Sequence, residues 1–155
     1  MQRAIALQPL SRDHKSLLMA CLLIRKGLGK KAAIEVILDF FLQCWYKEIV
    51  PHFEEEEAVL VPLLVKYPGG NEFAAAVLRD HELLRTCVTH LDQDALNERL
   101  IANLADQLEQ HIRFEERIVF QQMQEFIPEE ILSQLIFPEN TQPAICNNYP
   151  NHFWE

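Results

Sequence analysis

Apolar side chains along this chain recur at three- and four-residue spacings and nowhere alternate in the two-residue rhythm of a strand. Leu17, Leu18, Cys21, Leu22 and Ile24 form the first such stripe, which Ser11 is placed to cap and Gly27-Leu28-Gly29 to end. A second helical stretch runs from about Lys31 to Lys66 and contains Pro51 and Pro62. Either Pro51 kinks one long helix or it opens a second segment, since proline removes a backbone donor but suits a first helical turn. Pro68-Gly69-Gly70-Asn71 breaks the pattern, with Asn71 as the cap of a third helix over about Glu72 to His90. Asp92 to Asp94 makes the next turn, and a fourth helix follows from about Ala95 to Phe126. Pro128 opens a short fifth helix, PEEILSQLI. Beyond it, PENTQPAICNNYPNHFWE is rich in proline and asparagine. The pattern predicts an all-α, up-down-up-down four-helix bundle with a short fifth helix over residues 1–136. An irregular tail over 137–155 follows, strapped to the bundle through Tyr149, Phe153 and Trp154.

Composition narrows the function. At 155 residues with 49% hydrophobic side chains, the chain can bury a real core. A net charge of −9 argues against a nucleic-acid or anionic-membrane partner. No stretch has the apolar length of a membrane span, and the opening residues do not read as a signal peptide. Cys21, Cys44, Cys87 and Cys146 show no CxxC spacing and read as free thiols, so the expected location is the cytoplasm.

The chemistry lies in a series of histidines and glutamates: His14, then His52 with Glu56, then His81, then His111 with Glu115. Each His–Glu pair is separated by four residues, so both members project from one helix face, one turn apart. The chain also echoes itself. Arg12-Asp13-His14 resembles Arg79-Asp80-His81, and His52-Phe-Glu-Glu-Glu56-Glu57 resembles His111-Ile-Arg-Phe-Glu115-Glu116. Two helical hairpins related by a pseudo-twofold would bring like ligands to opposite sides of one centre. Imidazoles with two bridging carboxylates suit a pair of iron or manganese ions with open positions for oxo, hydroxo or dioxygen ligands, and zinc stays possible. Depth poses a condition. Glu56 and His81 each lie about three turns from the Pro68–Gly70 turn. His111 and His52 lie farther from their turns than His81 and His14, so helices two and four must begin later than the apolar pattern places them. The Glu-x-x-His and His-Glu-x-x-His motifs are absent; the residue four after His81 is Arg85.

These stretches resemble the hemerythrin-like (HHE) cation-binding domain over roughly residues 11–126. The resemblance implies a non-heme di-iron centre, two iron ions with an oxo or hydroxo bridge, held by His14, His52, Glu56, His81, His111 and Glu115. Oxygen-carrying hemerythrins have two histidines four apart on the third helix, whereas here Arg85 follows His81. The set is therefore closer to the iron-centre repair and iron-sensing members. The expected function is sensing or handling of dioxygen, nitric oxide or iron, with a small diatomic molecule or peroxide as partner and the oligomeric state open. Two alternatives stand beside it: a di-iron peroxidase, oxidase or nitric oxide reductase, and a metal-free helical interaction module. Glu57 and Glu116 serve as fallback ligands, and Glu48 and Arg85 as ion-pair residues. Trp45, Tyr46, Phe53 and Phe114 are expected to pack the bundle. His90 and His152 have no partner at ligand spacing.

Overall fold

A computed structural model describes residues 2–93, 98–138 and 140–155 of the chain. It is all-α, with no strand among the described residues. A single 3-10 turn, Ile5–Leu7, leads into α1 (Gln8–Gly29), whose first turn carries Pro9. Pro9 tolerates that position because the first backbone donors of a helix have no partner inside it. Ser11 is therefore not the cap; it lies inside the first turn and turns its hydroxyl elsewhere. Gly27-Leu28-Gly29 does end α1, whose last residue is Gly29. Gly27 leaves room for the Phe153 ring, and the turn after the helix is made by Lys31 at φ 57°.

The second helix, α2, is continuous from Ile34 to Leu64, but two π-helical turns interrupt it, Trp45–Ile49 and Glu56–Leu60. Each ends in an amide that reaches back five residues, Val50 to Trp45 and Val61 to Glu56. The next residues are Pro51 and Pro62. Widening the ladder just before each proline accommodates a ring that an unbroken α-helix could not. The helix α3 spans Gly70–Gln93 and so begins before the expected cap Asn71 and outlasts His90. Of the expected turn, Asp92 and Gln93 are still helical; the rest, with the fourth helix's start at Ala95, lies outside the described residues. Helix α4 runs from Glu98 to Phe126 with its own π turn, Glu115–Val119, and α5 shortens to Glu129–Leu132. A last short helix, α6 (Ile145–Asn148), punctuates the tail.

Helix α1 packs on α2 and α4, and α3 packs on α4 and the final turn of α2, which closes a four-helix bundle. The core falls into two clusters. The larger contains Leu17, Ile24, Phe40, Phe41, Leu104 and Ile112, and takes in Cys146, Tyr149 and Phe153 from the tail. The smaller, at the other end of the bundle, contains Leu10, Leu60, Leu64, Val77, Phe120 and Met123. Between them lies a layer of buried polar side chains. Tyr149 anchors the tail by donating its hydroxyl to Asp39 Oδ2 at 2.6 Å, and Phe153 packs edge-on to Phe40.

Candidate metal centre

The polar layer consists of His14, His52, Glu56, His81, His111 and Glu115, every one at most 3% exposed. Depth is matched by where the helices start. His111 lies thirteen residues after Glu98, the first described residue of α4, and His81 twelve before the end of α3. On the other hairpin α2 starts at Ile34 rather than Lys31, and the π turn before Pro51 fits an extra residue into the helix below His52. Both glutamates open π turns of their own.

The imidazoles converge in two pairs. His14 and His52 bring their Nε2 atoms to 3.0 Å, and His81 and His111 bring theirs to 3.1 Å. The two carboxylates lie between the pairs. Glu115 Oε1 is 3.1 Å from His14 Nε2 and 3.4 Å from His111 Nε2. Glu56 reaches His52 Nε2 with Oε2 at 3.4 Å and His81 Nε2 with Oε1 at 3.2 Å. Two overlapping donor sets result, His14–His52–Glu56–Glu115 and Glu56–His81–His111–Glu115, with ligand atoms in each within 4.8 Å of one another. Both glutamates belong to both sets.

Each ring is held from behind by a carboxylate on its Nδ1: Glu116 on His14 at 2.8 Å, Asp13 on His52 at 3.0 Å, Glu57 on His81 at 2.7 Å and Asp80 on His111 at 3.0 Å. This network assigns the proton to Nδ1, which donates to the outer carboxylate and leaves the Nε2 lone pair facing inward. With the four rings neutral, their inward lone pairs face the two carboxylates. Neither oxygen of Glu56 nor of Glu115 has a hydrogen-bond partner among the described residues. In the metal-free protein this crowding is visible in the acid–base balance. Burial opposes charge on both carboxylates; the charge of His52 nonetheless holds Glu56 well below its usual range, while Glu115, facing Glu56, is pushed up. Burial also opposes charge on His52, but Glu56 and Asp13 outweigh it and raise the imidazole well above its usual value.

Buried carboxylates without donors are costly. Cations between them and the lone pairs would satisfy every one of these atoms, so the cluster fits a metal site. Imidazole and carboxylate without thiolate is a donor set for a metal cation, unlike the thiolate-rich set of a typical structural zinc site. A family model described as the hemerythrin HHE cation-binding domain matches residues 6–123. The chain belongs to that family. No curated relative and no solved structure matches it.

Around this hemerythrin-family centre, several residues take roles the sequence did not assign them. Glu57 and Glu116 are not stand-in ligands but partners of Nδ1, and both are held below their usual range. Burial favours their neutral forms; bonds to Arg85 and His81 outweigh it for Glu57, and to His14 and Ser11 for Glu116. Arg85 Nη2 donates to Glu57 Oε2 at 2.6 Å, the ion pair expected of it. Ser11 Oγ donates to Glu116 Oε2 at 2.8 Å. Glu48 is no surface ion pair; it is half-buried and accepts the Ile145 N–H at 3.4 Å. Asp13 and Asp80 were missed as partners although each directly precedes a histidine of the repeated motif. Phe53 stacks on His81 at 3.8 Å and Phe120 on His14 at 5.6 Å, forming the aromatic walls. Trp45 is buried as expected, whereas Tyr46 is exposed. His152 bonds to Glu155 far from the centre, and His90 is exposed. A cleft of about 670 Å³ between α1, α2 and the tail reaches Asp13 and His52. A smaller one of about 290 Å³, lined by Leu83, Leu84 and Phe114, reaches Asp80 and His111 from the α3–α4 side.

Proposed function

We propose that His14, His52, Glu56, His81, His111 and Glu115 hold two iron ions, and that the protein senses or handles dioxygen, nitric oxide or iron. The observation that carries this reading is the set of bare Glu56 and Glu115 oxygens between inward-facing imidazoles. His14 and His52 would hold one ion, His81 and His111 the other, with Glu56 and Glu115 shared. Bound there, two irons supply reversible one-electron chemistry and coordination positions for a small ligand. The chain's own residues do the rest. The outer carboxylates fix ring tautomer and orientation, and Phe53 and Phe120 shield the rings from water. With Arg85 committed to Glu57, no fifth imidazole comes from α3, so both ions have the same protein donors. This matches the repair and sensing members better than the oxygen carriers.

The two clefts that reach His52 and His111 favour a second reading, a di-iron enzyme acting on peroxide or nitric oxide. Free thiols and the lack, among the described residues, of any helix long and apolar enough to cross a membrane support a cytoplasmic setting. Residues 1–136 would act as the functional domain and 137–155 as its strap. Plasma-emission metal analysis after anaerobic ferrous reconstitution tests the centre: two irons per chain, lost in His52→Ala, are expected. Retention of both irons by that variant refutes the assignment. Peroxide or nitric oxide turnover above that of free ferrous ion separates the enzyme from the sensor.

A further inference from the structure

The sequence repeat that relates the two hairpins carries the ligands and the carboxylates behind them, but not the residues that hold those carboxylates. On the α2–α3 side, Arg85 donates to Glu57 at 2.6 Å and lies 5.8 Å from the centre of the Phe53 ring. Glu57 holds His81, and Phe53 stacks on the same imidazole. Guanidinium, carboxylate and aromatic ring thus form a clamp around one histidine. The repeat places Leu18 where Arg85 should recur and Ile112 where Phe53 should recur, so α1 and α4 have no clamp of this design in their aligned positions.

The clamp is nevertheless present on that side, built from other residues. Arg3, in the segment before α1, donates Nη2 to the Glu116 carbonyl at 2.6 Å and lies 3.4 Å from Glu116 Oε1. Its guanidinium sits 5.1 Å from the centre of the Phe120 ring. Glu116 holds His14, and Phe120 stacks on it. The segment carrying Arg3 is pinned in turn. Gln124 Oε1 accepts from Arg3 Nη1 at 3.3 Å and from the Ala4 amide at 3.0 Å, and Gln124 Nε2 donates to the Gln2 carbonyl at 2.9 Å. The Arg3 side chain is only 17% exposed, and its buried Nε has no partner among the described residues. A guanidinium desolvated to that degree is held for what it does to Glu116. Arg3 and Gln124 both lie outside the matched family span of residues 6–123.

We propose that Arg3 is a positioning residue of the metal centre, supplying to His14 through Glu116 the clamp that Arg85 supplies to His81 through Glu57. The inference rests on the reading that the six residues hold two ions. Since His14 and His81 sit in different donor sets, each arginine governs one ion. Arg3 and Arg85 are then two independent controls on one dinuclear centre.

The test is release of iron(II) to a coloured ferrous chelator, followed anaerobically from the reconstituted full chain. Loss of a residue behind a ligating histidine typically costs 10- to 100-fold in metal affinity. Arg3→Ala should release one iron about tenfold faster and leave the other at the wild-type rate. Arg85→Ala should give the same two-phase trace, and the double variant should release both ions fast. Wild-type rates for both irons in Arg3→Ala, or equal acceleration of both, would overturn the proposal. A second readout does not depend on metal: exchange of the Nδ1-bound imidazole protons in ¹H–¹⁵N spectra of the metal-free protein. Arg3→Ala should speed exchange at His14 and leave His81 unchanged, with Arg85→Ala doing the reverse. No change at His14 would refute the role of Arg3 even if wild-type protein took up no iron, an outcome that would sink the centre on its own.

Discussion

Glu115→Leu should make the metal-free protein more stable while destroying the site. Glu115 is fully buried, and neither of its oxygens receives a hydrogen bond among the described residues. Burial, and then the like charge of Glu56 across the centre, push its pKa up. A buried polar group left without a partner costs about 1–3 kcal/mol. Leucine asks for no partner, so the substitution removes that cost together with the repulsion from Glu56. Leucine has nearly the volume of glutamate and suits a helix interior. The substitution leaves no new orphan donor, because His14 and His111 donate through Nδ1 to Glu116 and Asp80. A gain of about 2 kcal/mol follows, which at roughly 2–4 °C per kcal/mol raises Tm by about 4–8 °C. Calorimetry in chelator should show that rise. With ferrous ion under argon the order should reverse: wild type gains about 2.7 kcal/mol at a hundredfold excess over Kd, and the variant gains nothing. A metal-free variant less stable than wild type would refute the reasoning, because the His14 and His111 Nε2 atoms beside Glu115 would then be holding its carboxylate as an ion pair.

Gly27→Val should detach the tail, since its side chain would occupy the space of the Phe153 ring. Overpacking of this kind costs about 1–3 kcal/mol, and limited proteolysis should cut between α5 and α6 first. Cys21 is buried, and burial pushes its thiol up to about 12. Because the folded value lies above the unfolded one, its contribution to stability is complete below pH 9 and is lost as pH rises toward 12. Tm measured from pH 7 to 11 should therefore fall on the alkaline side, less steeply in Cys21→Ala. Native alkylation at pH 8 should modify Cys87, which is partly exposed, well before Cys21.

The helices and the six centre residues were legible because both depend on periodicity. An apolar stripe and an i,i+4 His–Glu pair each state which face of a helix is buried. What sequence could not show was set by backbone detail or by long-range contact. The π turns at Trp45–Ile49 and Glu56–Leu60 keep α2 continuous through Pro51 and Pro62, and no local signal separates that outcome from a break. Ser11 reads as a cap, yet its hydroxyl is taken by Glu116, 105 residues away. Gly27 reads only as part of a helix end, and nothing local shows that it also admits Phe153. Asp13 and Asp80 were visible as part of a repeat, but each serves a histidine on the neighbouring helix rather than the one beside it. Such pairings exist only after the bundle has assembled.

Splitting the core with a polar layer also divides how the molecule breathes. The larger apolar cluster is backed by the body of the tail through Cys146, Tyr149 and Phe153; the smaller rests on the last turns of α2 and α4 and the first turns of α1 and α3, closed by Leu132 of α5 and Phe137. Amide exchange should therefore follow a gradient along the bundle axis, slowest around Phe40 and Leu104 and fastest around Leu64 and Met123. The π turns at Glu56 and Glu115 sit at the border between the two regimes, where the five-residue backbone bonds mark a natural articulation. Opening at that border parts the shared carboxylates before it disturbs the larger core. Exchange of an ion held between Glu56 and Glu115 would then require only that local opening, not unfolding of the whole bundle.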